Sequence, residues 1–247
     1  MTTFTGKTVL VTGANRGIGA AVVRRLLATG ATRIYAAARK TSALPDFDDA
    51  RVVPVALDLT DTATITAAAK SAPDVDVLIN NAGIATFANL TDSTVEDIAR
   101  DMDTNYYGTL NVTRGFLPQF QARKAGTIVN VVSVVGLTTA PVLGGYSASK
   151  AALQSATQTL RATLKASGIE VLGVYPGPID TDMAKDLPFD KASPESTADL
   201  IVKGIEAGET YIFPDPTSQH IGQIWATDGR ALDSALSGEA EALEAAE

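Results

Sequence analysis

Tyr146 and Lys150 are the two residues whose types and spacing most clearly indicate proton chemistry. They lie four positions apart in a Ser- and Ala-rich stretch, and a helix brings residues at this spacing onto one face. A tyrosine with an ordinary pKa of about 10 is a poor base at neutral pH, but a neighbouring cation stabilises the phenolate and lowers that pKa. The pair therefore predicts a tyrosine that donates and accepts protons beside a lysine ammonium. Taken alone, the same spacing is also typical of an exposed helical surface.

A glycine-rich run lies between the first predicted strand and the first predicted helix. It reads Thr12-Gly13-Ala14-Asn15-Arg16-Gly17-Ile18-Gly19. Glycines at this place allow a tight turn and a close approach of the backbone to a pyrophosphate. The helix that starts at Ile18 would direct its N-terminal amides at the phosphates. The run predicts a dinucleotide site, although a plain strand-to-helix turn can contain the same glycines.

The end of the second predicted strand indicates which dinucleotide is used. An acidic residue at this place accepts hydrogen bonds from the ribose 2′-hydroxyl of NAD and repels a 2′-phosphate. The chain has no acid there, and Ala38 is followed by Arg39 and Lys40. Arg39 offers a guanidinium fork that matches a phosphate, and Arg16 brings a second cation nearby. We therefore expect NADPH/NADP+ as the cofactor, although each cation alone is also compatible with a solvated loop.

Seven short β-branched segments alternate with Ala- and Leu-rich helical segments and would position these residues. The predicted strands are residues 8–11, 33–37, 52–56, 77–80, 127–132, 170–175 and 210–213. The predicted helices are residues 18–29, 63–71, 94–101, 104–121, 147–167 and 194–207. Nearly continuous apolar strands joined by helical crossovers are typical of a parallel sheet covered on both faces. The pattern predicts one doubly wound α/β domain over residues 1–247.

Composition and charge exclude several classes of function. The net charge of −8 gives nucleic acids and anionic membranes no general attraction, so we expect neither as a partner. The absence of cysteine excludes disulfides, thiolate metal sites and cysteine nucleophiles, and no metal is expected. The single histidine, His220, is interpreted as a surface or packing residue. No signal-peptide segment and no stretch of about 20 apolar residues is present, so a cytoplasmic protein is expected.

Four further motifs follow predicted strands or begin predicted helices. Asn80-Asn81-Ala82-Gly83 ends the fourth strand, Asn105 opens the long helix, Ser133 follows the fifth strand, and Pro176-Gly177-Pro178-Ile179-Asp180-Thr181 follows the sixth. Together with the glycine-rich run and the Tyr146/Lys150 pair, they make the chain resemble the short-chain dehydrogenase/reductase family over about residues 5–214. The resemblance implies a Rossmann-type, seven-stranded parallel sheet in a three-layer αβα domain.

The resemblance also implies roles for the motif residues. Ser133 would hold the substrate carbonyl oxygen, Tyr146 would deliver the proton, Lys150 would bind the nicotinamide ribose, and Asn105 would order a water that links Lys150 to solvent. The implied cofactor-binding residues are Gly13, Asn15, Arg16, Gly17, Ile18, Gly19, Arg39, Asp58, Leu59, Asn81, Ala82, Gly83, Tyr146, Lys150, Pro176, Gly177, Ile179 and Thr181. The implied reaction transfers a hydride to a ketone or aldehyde, with alcohol oxidation as its reverse. Without the resemblance, Asn105 and Ser133 are equally a helix cap and a strand-end hydroxyl.

The residues expected around the substrate are mostly apolar. They are Val134, Val135, Pro141, Val142, Leu143, Met183, Leu187 and Phe189, the last three in a substrate loop at about residues 177–193. Apolar walls leave sugar hydroxyls without partners, so a small apolar or aryl ketone, or the matching alcohol, is expected. Some of these side chains could instead belong to the core or to an oligomer contact.

Two alternative functions remain at this stage. A 3-oxoacyl-carrier-protein reductase would use Arg123 and Lys124 to meet an acidic carrier, but residues 209–215 replace the usual Gly-rich C-terminal strand of such enzymes. A non-catalytic NADP-binding redox sensor or scaffold is less compatible with the intact Asn-Ser-Tyr-Lys set. The resemblance also implies a homotetramer or homodimer packed through residues 104–121 and 147–167. The Ala/Glu-rich residues 232–247 are interpreted as a frayed helix or flexible tail.

Overall fold

The computed structural model describes residues 3–232, in which seven parallel strands form one sheet. The strands are Thr8–Thr12 (β1), Arg33–Ala38 (β2), Val52–Ala56 (β3), Val77–Asn80 (β4), Gly126–Val131 (β5), Ile169–Val174 (β6) and Tyr211–Ile212 (β7). Their spatial order is β3-β2-β1-β4-β5-β6-β7, and every neighbouring pair is parallel. Strands β2 and β3 lie on one side of β1, and strands β4 to β7 lie on the other side. A crevice opens between β1 and β4, at the carboxyl ends of the strands. All seven predicted strands are confirmed, with shifts of no more than one residue at their ends.

Helices cover both faces of the sheet. They are Gly17–Leu27 (α1), Thr62–Ser71 (α2), Val95–Met102 (α3), Thr109–Arg123 (α4), Gly144–Leu164 (α5), Pro194–Ala207 (α6) and Pro216–Asp228 (α7). The first six correspond to the predicted helices, so the predicted three-layer α/β fold is confirmed. The sequence analysis missed α7, although Asp215 and Ser218 form a capping box around Pro216 at its start.

Successive side chains of each strand point to opposite faces of the sheet, so the core consists of two layers. Val9 and Val11 face the side covered by α1 and α6, where Leu26 and Ile201 are fully buried. Leu10 faces the opposite side, which is covered by α2 and α4 and contains buried residues such as Phe116 and Phe120. Each fully buried side chain of this size contributes about 1.5–3 kcal/mol of transfer free energy. The two layers fix the sheet and therefore the positions of its carboxyl ends.

Asn105 does not open the long helix as predicted. It lies inside a π-helical turn, Asp103–Gly108, that joins α3 directly to α4. The turn passes close to the segment after β3, because a Cβ at Gly108 would lie 2.7 Å from Leu59 Cβ. Wider turns of this kind are frequent at functional sites. The prediction that Asn105 begins a helix was therefore wrong, and the turn buries its side chain instead.

Two further differences concern the second half of the chain. Helix α5 begins at Gly144 rather than residue 147, so Tyr146 belongs to its first turn. Of the predicted tail at residues 232–247, only Leu232 lies within the described residues, where it is buried. Within the part of the chain that the structure describes, no helix combines the length and apolar character that a membrane span needs.

Candidate active site

A cleft of about 1390 Å³ opens at the carboxyl ends of the central strands. It brings together most of the predicted site residues: Gly13, Asn15, Arg16, Gly17, Ile18, Arg39, Asp58, Leu59, Asn81, Ala82, Gly83, Ser133, Tyr146, Lys150, Pro176, Gly177, Ile179 and Thr181. Gly19 and Asn105 do not line it, because both are buried directly behind its wall. Five of the six motifs therefore line one cleft although they are far apart in the chain, and the sixth, Asn105, lies behind its wall.

The glycine-rich loop has the geometry that a pyrophosphate requires. Gly13 and Gly17 have φ of +66° and +53°, which favour glycine, and a Cβ at Gly19 would lie 2.2 Å from the Gly13 carbonyl oxygen. Arg16 precedes α1 without capping it through its side chain, and the first turn of α1 contains no acid. The first amides of α1 therefore remain available to an anion. These features fit a bound dinucleotide.

The segment after β4 supports this loop from below. The Thr12 hydroxyl oxygen accepts hydrogen bonds from the backbone amides of Asn81 and Ala82, both at 3.0 Å. The side-chain amide of Asn81 donates in return to the carbonyl oxygens of Thr12 and Gly13 at 2.9 and 3.3 Å. Asn81, predicted as a cofactor residue, thus also holds the glycine-rich loop against β4.

Lys150 and Asn105 form the buried floor of the catalytic group. Lys150 Nζ donates to the Val131 carbonyl oxygen at 2.9 Å and lies 5.5 Å from the centre of the Tyr146 ring. Asn105 Nδ2 donates to the Ile84 carbonyl oxygen and to Ser149 Oγ, both at 2.9 Å, and its Oδ1 accepts from the Ile84 amide at 2.9 Å. Both side-chain donors of Asn105 are therefore used within the protein. Asn105 ties α5 to the segment after β4.

Ser133 follows β5 and faces Tyr146 across the cleft. Its hydroxyl donates to the Pro176 carbonyl oxygen at 3.3 Å and accepts from the Val135 amide at 3.4 Å. Both bonds are long, so the hydroxyl can exchange them for a substrate oxygen at little cost. The nearby hydroxyl of Ser133 also acts to lower the pKa of the Tyr146 phenol.

Burial dominates the electrostatics of the Tyr146/Lys150 pair. Desolvation raises the pKa of Tyr146 to about 12, against the lowering effect of Ser133, and the charge of Asp101 raises it further. Desolvation lowers the pKa of Lys150 to about 8, while Asp101 opposes this change. The net shift of the Tyr146 pKa is therefore upward, whereas the sequence analysis expected a downward shift. Lys150 directs its ammonium at the Val131 carbonyl oxygen rather than at the phenol.

The two predicted phosphate-binding cations occupy different environments. Arg39 lines the cleft after β2, and its charge contributes to lowering the pKa of Asp58. Arg16 forms a 2.8 Å ion pair with Asp182 of the substrate loop, in which both side chains are 68% exposed. The ion pair joins the glycine-rich loop to the substrate loop.

The substrate end of the cleft is largely apolar. Val134, Val135, Leu143, Met183, Leu187 and Phe189 line it as predicted. Pro141 and Val142 do not, because they lie on an exposed 3₁₀ turn, so this part of the prediction was wrong.

Helix α7 supplies cleft residues that the sequence analysis did not assign to the site. Thr217, His220, Ile221 and Ile224 follow helical spacing and all line the cleft. His220 is exposed, as expected for a surface residue, but it borders the cleft. The capping box at Asp215 could have revealed this helix.

Among residues 3–232, no cluster of His, Asp and Glu is arranged to hold a metal ion.

Comparison with known proteins decides the family. Residues 7–192 match the family model described as short chain dehydrogenase. The chain belongs to the short-chain dehydrogenase/reductase family. Its members include a ketoacyl reductase, HetN, from Nostoc sp., which is 32% identical over 252 residues that cover 93% of this chain and 86% of the relative. The protein is accordingly an oxidoreductase of this family.

Solved structures agree with this placement. A short chain dehydrogenase from Burkholderia cenocepacia, in complex with NADP, has a TM-score of 0.90 and 36% identity, and the match covers 95% of this chain and 99% of that one. A short chain dehydrogenase/reductase from Burkholderia phymatum, in complex with NAD, has a TM-score of 0.83 and 25% identity, with 94% and 97% covered. The Rossmann-type fold expected from the sequence is thus confirmed.

Proposed function

We propose that the protein reduces apolar or aryl ketones and aldehydes to alcohols with NADPH, and that Tyr146 is the proton donor. The observation that supports this most directly is the position of Tyr146, which lies beside Ser133 in a cleft that joins the glycine-rich loop to apolar walls. The raised pKa of Tyr146 keeps the phenol protonated at neutral pH, and a protonated phenol is what ketone reduction needs.

The hydroxyls of Ser133 and Tyr146 would both donate to the substrate carbonyl oxygen and orient it. A bound nicotinamide supplies the hydride for the reduction and accepts one in alcohol oxidation. As charge develops on the oxygen, Tyr146 gives up its proton and the product leaves as a neutral alcohol. Lys150 spends one of its three N–H donors on Val131 and has others for the nicotinamide ribose. The tyrosinate would recover its proton from solvent through Lys150 and a water near Asn105.

Several features support NADPH over NADH. No acid stands at the end of β2, and Arg39 and Lys40 line the cleft there. The relative from Burkholderia cenocepacia was solved with NADP, whereas the one from Burkholderia phymatum was solved with NAD. The relatives therefore agree on a nicotinamide dinucleotide, and the choice of NADPH rests on Arg39 and its neighbours.

A 3-oxoacyl-carrier-protein reductase is the second candidate, because the Nostoc relative is named a ketoacyl reductase. The proposed carrier contact is weak in this chain. The Arg123 guanidinium donates to the carbonyl oxygens of Pro73 and Val75 and stacks over Phe120. It is the last residue of α4, just before β5 and at the amino ends of the strands, whereas the cleft opens at their carboxyl ends. A carrier docked there could not deliver its acyl chain to Tyr146.

A substrate panel tests the proposal. The purified protein should consume NADPH, measured by loss of nicotinamide absorbance, with aryl and alkyl ketones and with a 3-oxoacyl thioester. We expect the highest kcat/KM with apolar or aryl ketones and lower values with NADH. A preference for the thioester would favour the carrier-protein role. Failure to turn over any carbonyl, despite NADPH binding, would favour a redox sensor.

A further inference from the structure

A buried carboxylate lies behind the catalytic residues and has no part in the mechanism above. Asp101 is fully buried near the end of α3. Thr86 holds both carboxylate oxygens, since its amide donates to Oδ1 at 3.1 Å and its hydroxyl donates to Oδ2 at 2.7 Å. Fully buried carboxylates are rare, because burial penalises their charged form.

Asp101 lies against the first turn of α5, which carries Tyr146. A Cβ at Gly145 would lie 3.1 Å from Asp101 Oδ2, so a glycine directly before Tyr146 makes room for the carboxylate. Lys150 is one helical turn further along the same helix and is also buried. The buried carboxylate thus lies against the turn of α5 whose Tyr146 and Lys150 line the cleft.

Few charged groups face Asp101 from the elements around it. Arg100 on its own helix interacts with it, but that guanidinium is exposed and pairs with Asp97 at 3.2 Å. Lys150 interacts with it from α5, and Tyr146 on the same helix responds to its charge. From the segment after β4, its contacts are the amide and hydroxyl of Thr86. Lys150 is therefore the only buried cation that acts on Asp101 within the described residues.

We propose that Asp101 is a positioning residue for proton transfer: its buried negative charge keeps Lys150 as an ammonium and Tyr146 as a neutral phenol. A negative charge in a water-poor region favours bound protons on both neighbours. A Tyr146 phenol that stays protonated until the carbonyl oxygen becomes basic favours reduction of the carbonyl. The inference rests on the proposed function, to which it adds a bias toward reduction.

The pKa shifts of all three groups have the signs that a buried negative charge at Asp101 produces. The charge of Asp101 raises the pKa of Lys150, although burial still leaves that pKa depressed at about 8. The same charge raises the pKa of Tyr146. Lys150 in turn lowers the pKa of Asp101, but burial, the largest influence, leaves it raised overall.

Asp101→Asn tests the proposal with little change in shape. An asparagine can accept from the Thr86 amide and donate to the Thr86 hydroxyl, so both contacts survive without the charge. The experiment is a fluorescence titration with NADPH at a series of pH values, without any substrate. NADPH affinity is the readout because Lys150 is expected to hold the nicotinamide ribose. The pH at which NADPH affinity falls should move down by about one unit in the variant. The rise of alcohol oxidation with pH should move in the same direction, because Tyr146 then ionises more easily.

Two control variants separate charge from packing. Asp97→Asn removes an exposed carboxylate from the same helix and should leave both pH profiles in place. Thr86→Val keeps the Asp101 charge but removes a hydrogen bond, and should shift the profiles by less than Asp101→Asn. If Asp101→Asn does not fold, Asp101→Ser provides a second neutral variant that adds no bulk beside Gly145.

Unchanged pH profiles in the neutral variants of Asp101, or equal shifts in Asp97→Asn, would overturn the proposal. The binding measurement needs no turnover, so it also distinguishes two failures. A protein that binds NADPH with an Asp101-dependent pH profile but reduces no carbonyl would refute the proposed reaction and not the role of Asp101.

Discussion

Replacing Arg39 by alanine tests the expected preference for NADPH over NADH. Arg39 follows β2 directly, is exposed, and lines the cleft. A charge-assisted hydrogen bond contributes about 1.5–3 kcal/mol. Since each 1.4 kcal/mol is a factor of ten, this range corresponds to about 10- to 150-fold in Kd. Solvent screening and the nearby charge of Asp58 both weaken the contact, so we expect the lower end, a loss of about 10-fold for NADPH.

The measurement is a fluorescence titration of wild type and Arg39→Ala with NADPH and with NADH at two salt concentrations. NADH binding should change by less than about twofold, because NADH lacks the phosphate that Arg39 would contact. The wild-type preference for NADPH should also shrink as salt screens the charges. Lys40→Ala, the adjacent cation in the same cleft wall, is the matched control and should show a smaller loss.

Ala38→Asp extends the same test in the opposite direction. Its carboxylate would repel a 2′-phosphate and accept from a ribose hydroxyl, so the variant should prefer NADH. Equal losses for both cofactors in Arg39→Ala would show that Arg39 supports the loop rather than the phosphate. A wild-type protein that prefers NADH would refute the interpretation of this strand end altogether.

Three other predictions concern catalysis, cofactor binding and pH. Tyr146→Phe should lower ketone reduction by about 10²–10⁴-fold in steady-state assays, because it removes the proton donor. NADPH binding should persist, because the other cofactor-binding residues are unchanged; activity within about tenfold of wild type would contradict the role of Tyr146. Gly19→Ala should abolish NADPH binding in the same titration, since the added Cβ would lie 2.2 Å from the Gly13 carbonyl oxygen. Gly229→Ala is the control and should bind NADPH normally, because its φ is −57° and the added Cβ would lie 3.7 Å from its nearest neighbour. The pKa of Lys150 is about 8 in the folded protein, against 10.5 in the unfolded chain. Between these two pH values the unfolded chain therefore binds more protons than the folded protein. Lys150 should thus make the protein more stable as the pH rises from about 8 to 10.5. Urea unfolding at pH 7 and pH 10 should show this gain in wild type relative to Lys150→Met, and an equal pH response in both proteins would contradict it.

Much of the fold and the cofactor half of the site could be predicted because their signals are local. Most strands are short apolar runs, and the motifs other than Asn105 lie just after a strand or in the first turns of a helix, as Gly13 follows β1 and Pro176 lies two residues after β6. Parallel strands bring their carboxyl ends to one edge, so the motifs that follow β1, β4, β5 and β6 necessarily meet. The meeting of Tyr146 and Lys150 with Ser133 was expected from the family resemblance, because their spacing alone is also typical of an exposed helical surface.

The features that were missed depend on packing between distant segments. The π turn around Asn105 forms where α3 continues into α4 against Leu59, and nothing in the local sequence marks it. Helix α7 has weak apolar periodicity because its inner face mixes Thr217 and His220 with Ile221 and Ile224. Its capping box was the available signal, since Asp215 and Ser218 satisfy each other's backbone amides at the helix start.

The acid–base pair illustrates why residue types alone do not determine chemistry. Its sequence correctly places Tyr146 and Lys150 on one helical face, but the direction of the tyrosine pKa shift depends on groups that other elements supply. Val131 at the end of β5 takes a hydrogen bond from the ammonium, and Asp101 on α3 adds a buried charge of the opposite sign. Desolvation then outweighs the attraction of the cation for a phenolate, and the phenol stays protonated. The spacing therefore points to Tyr146 as the proposed proton donor, whereas the packing of three separate elements sets the direction of its pKa shift.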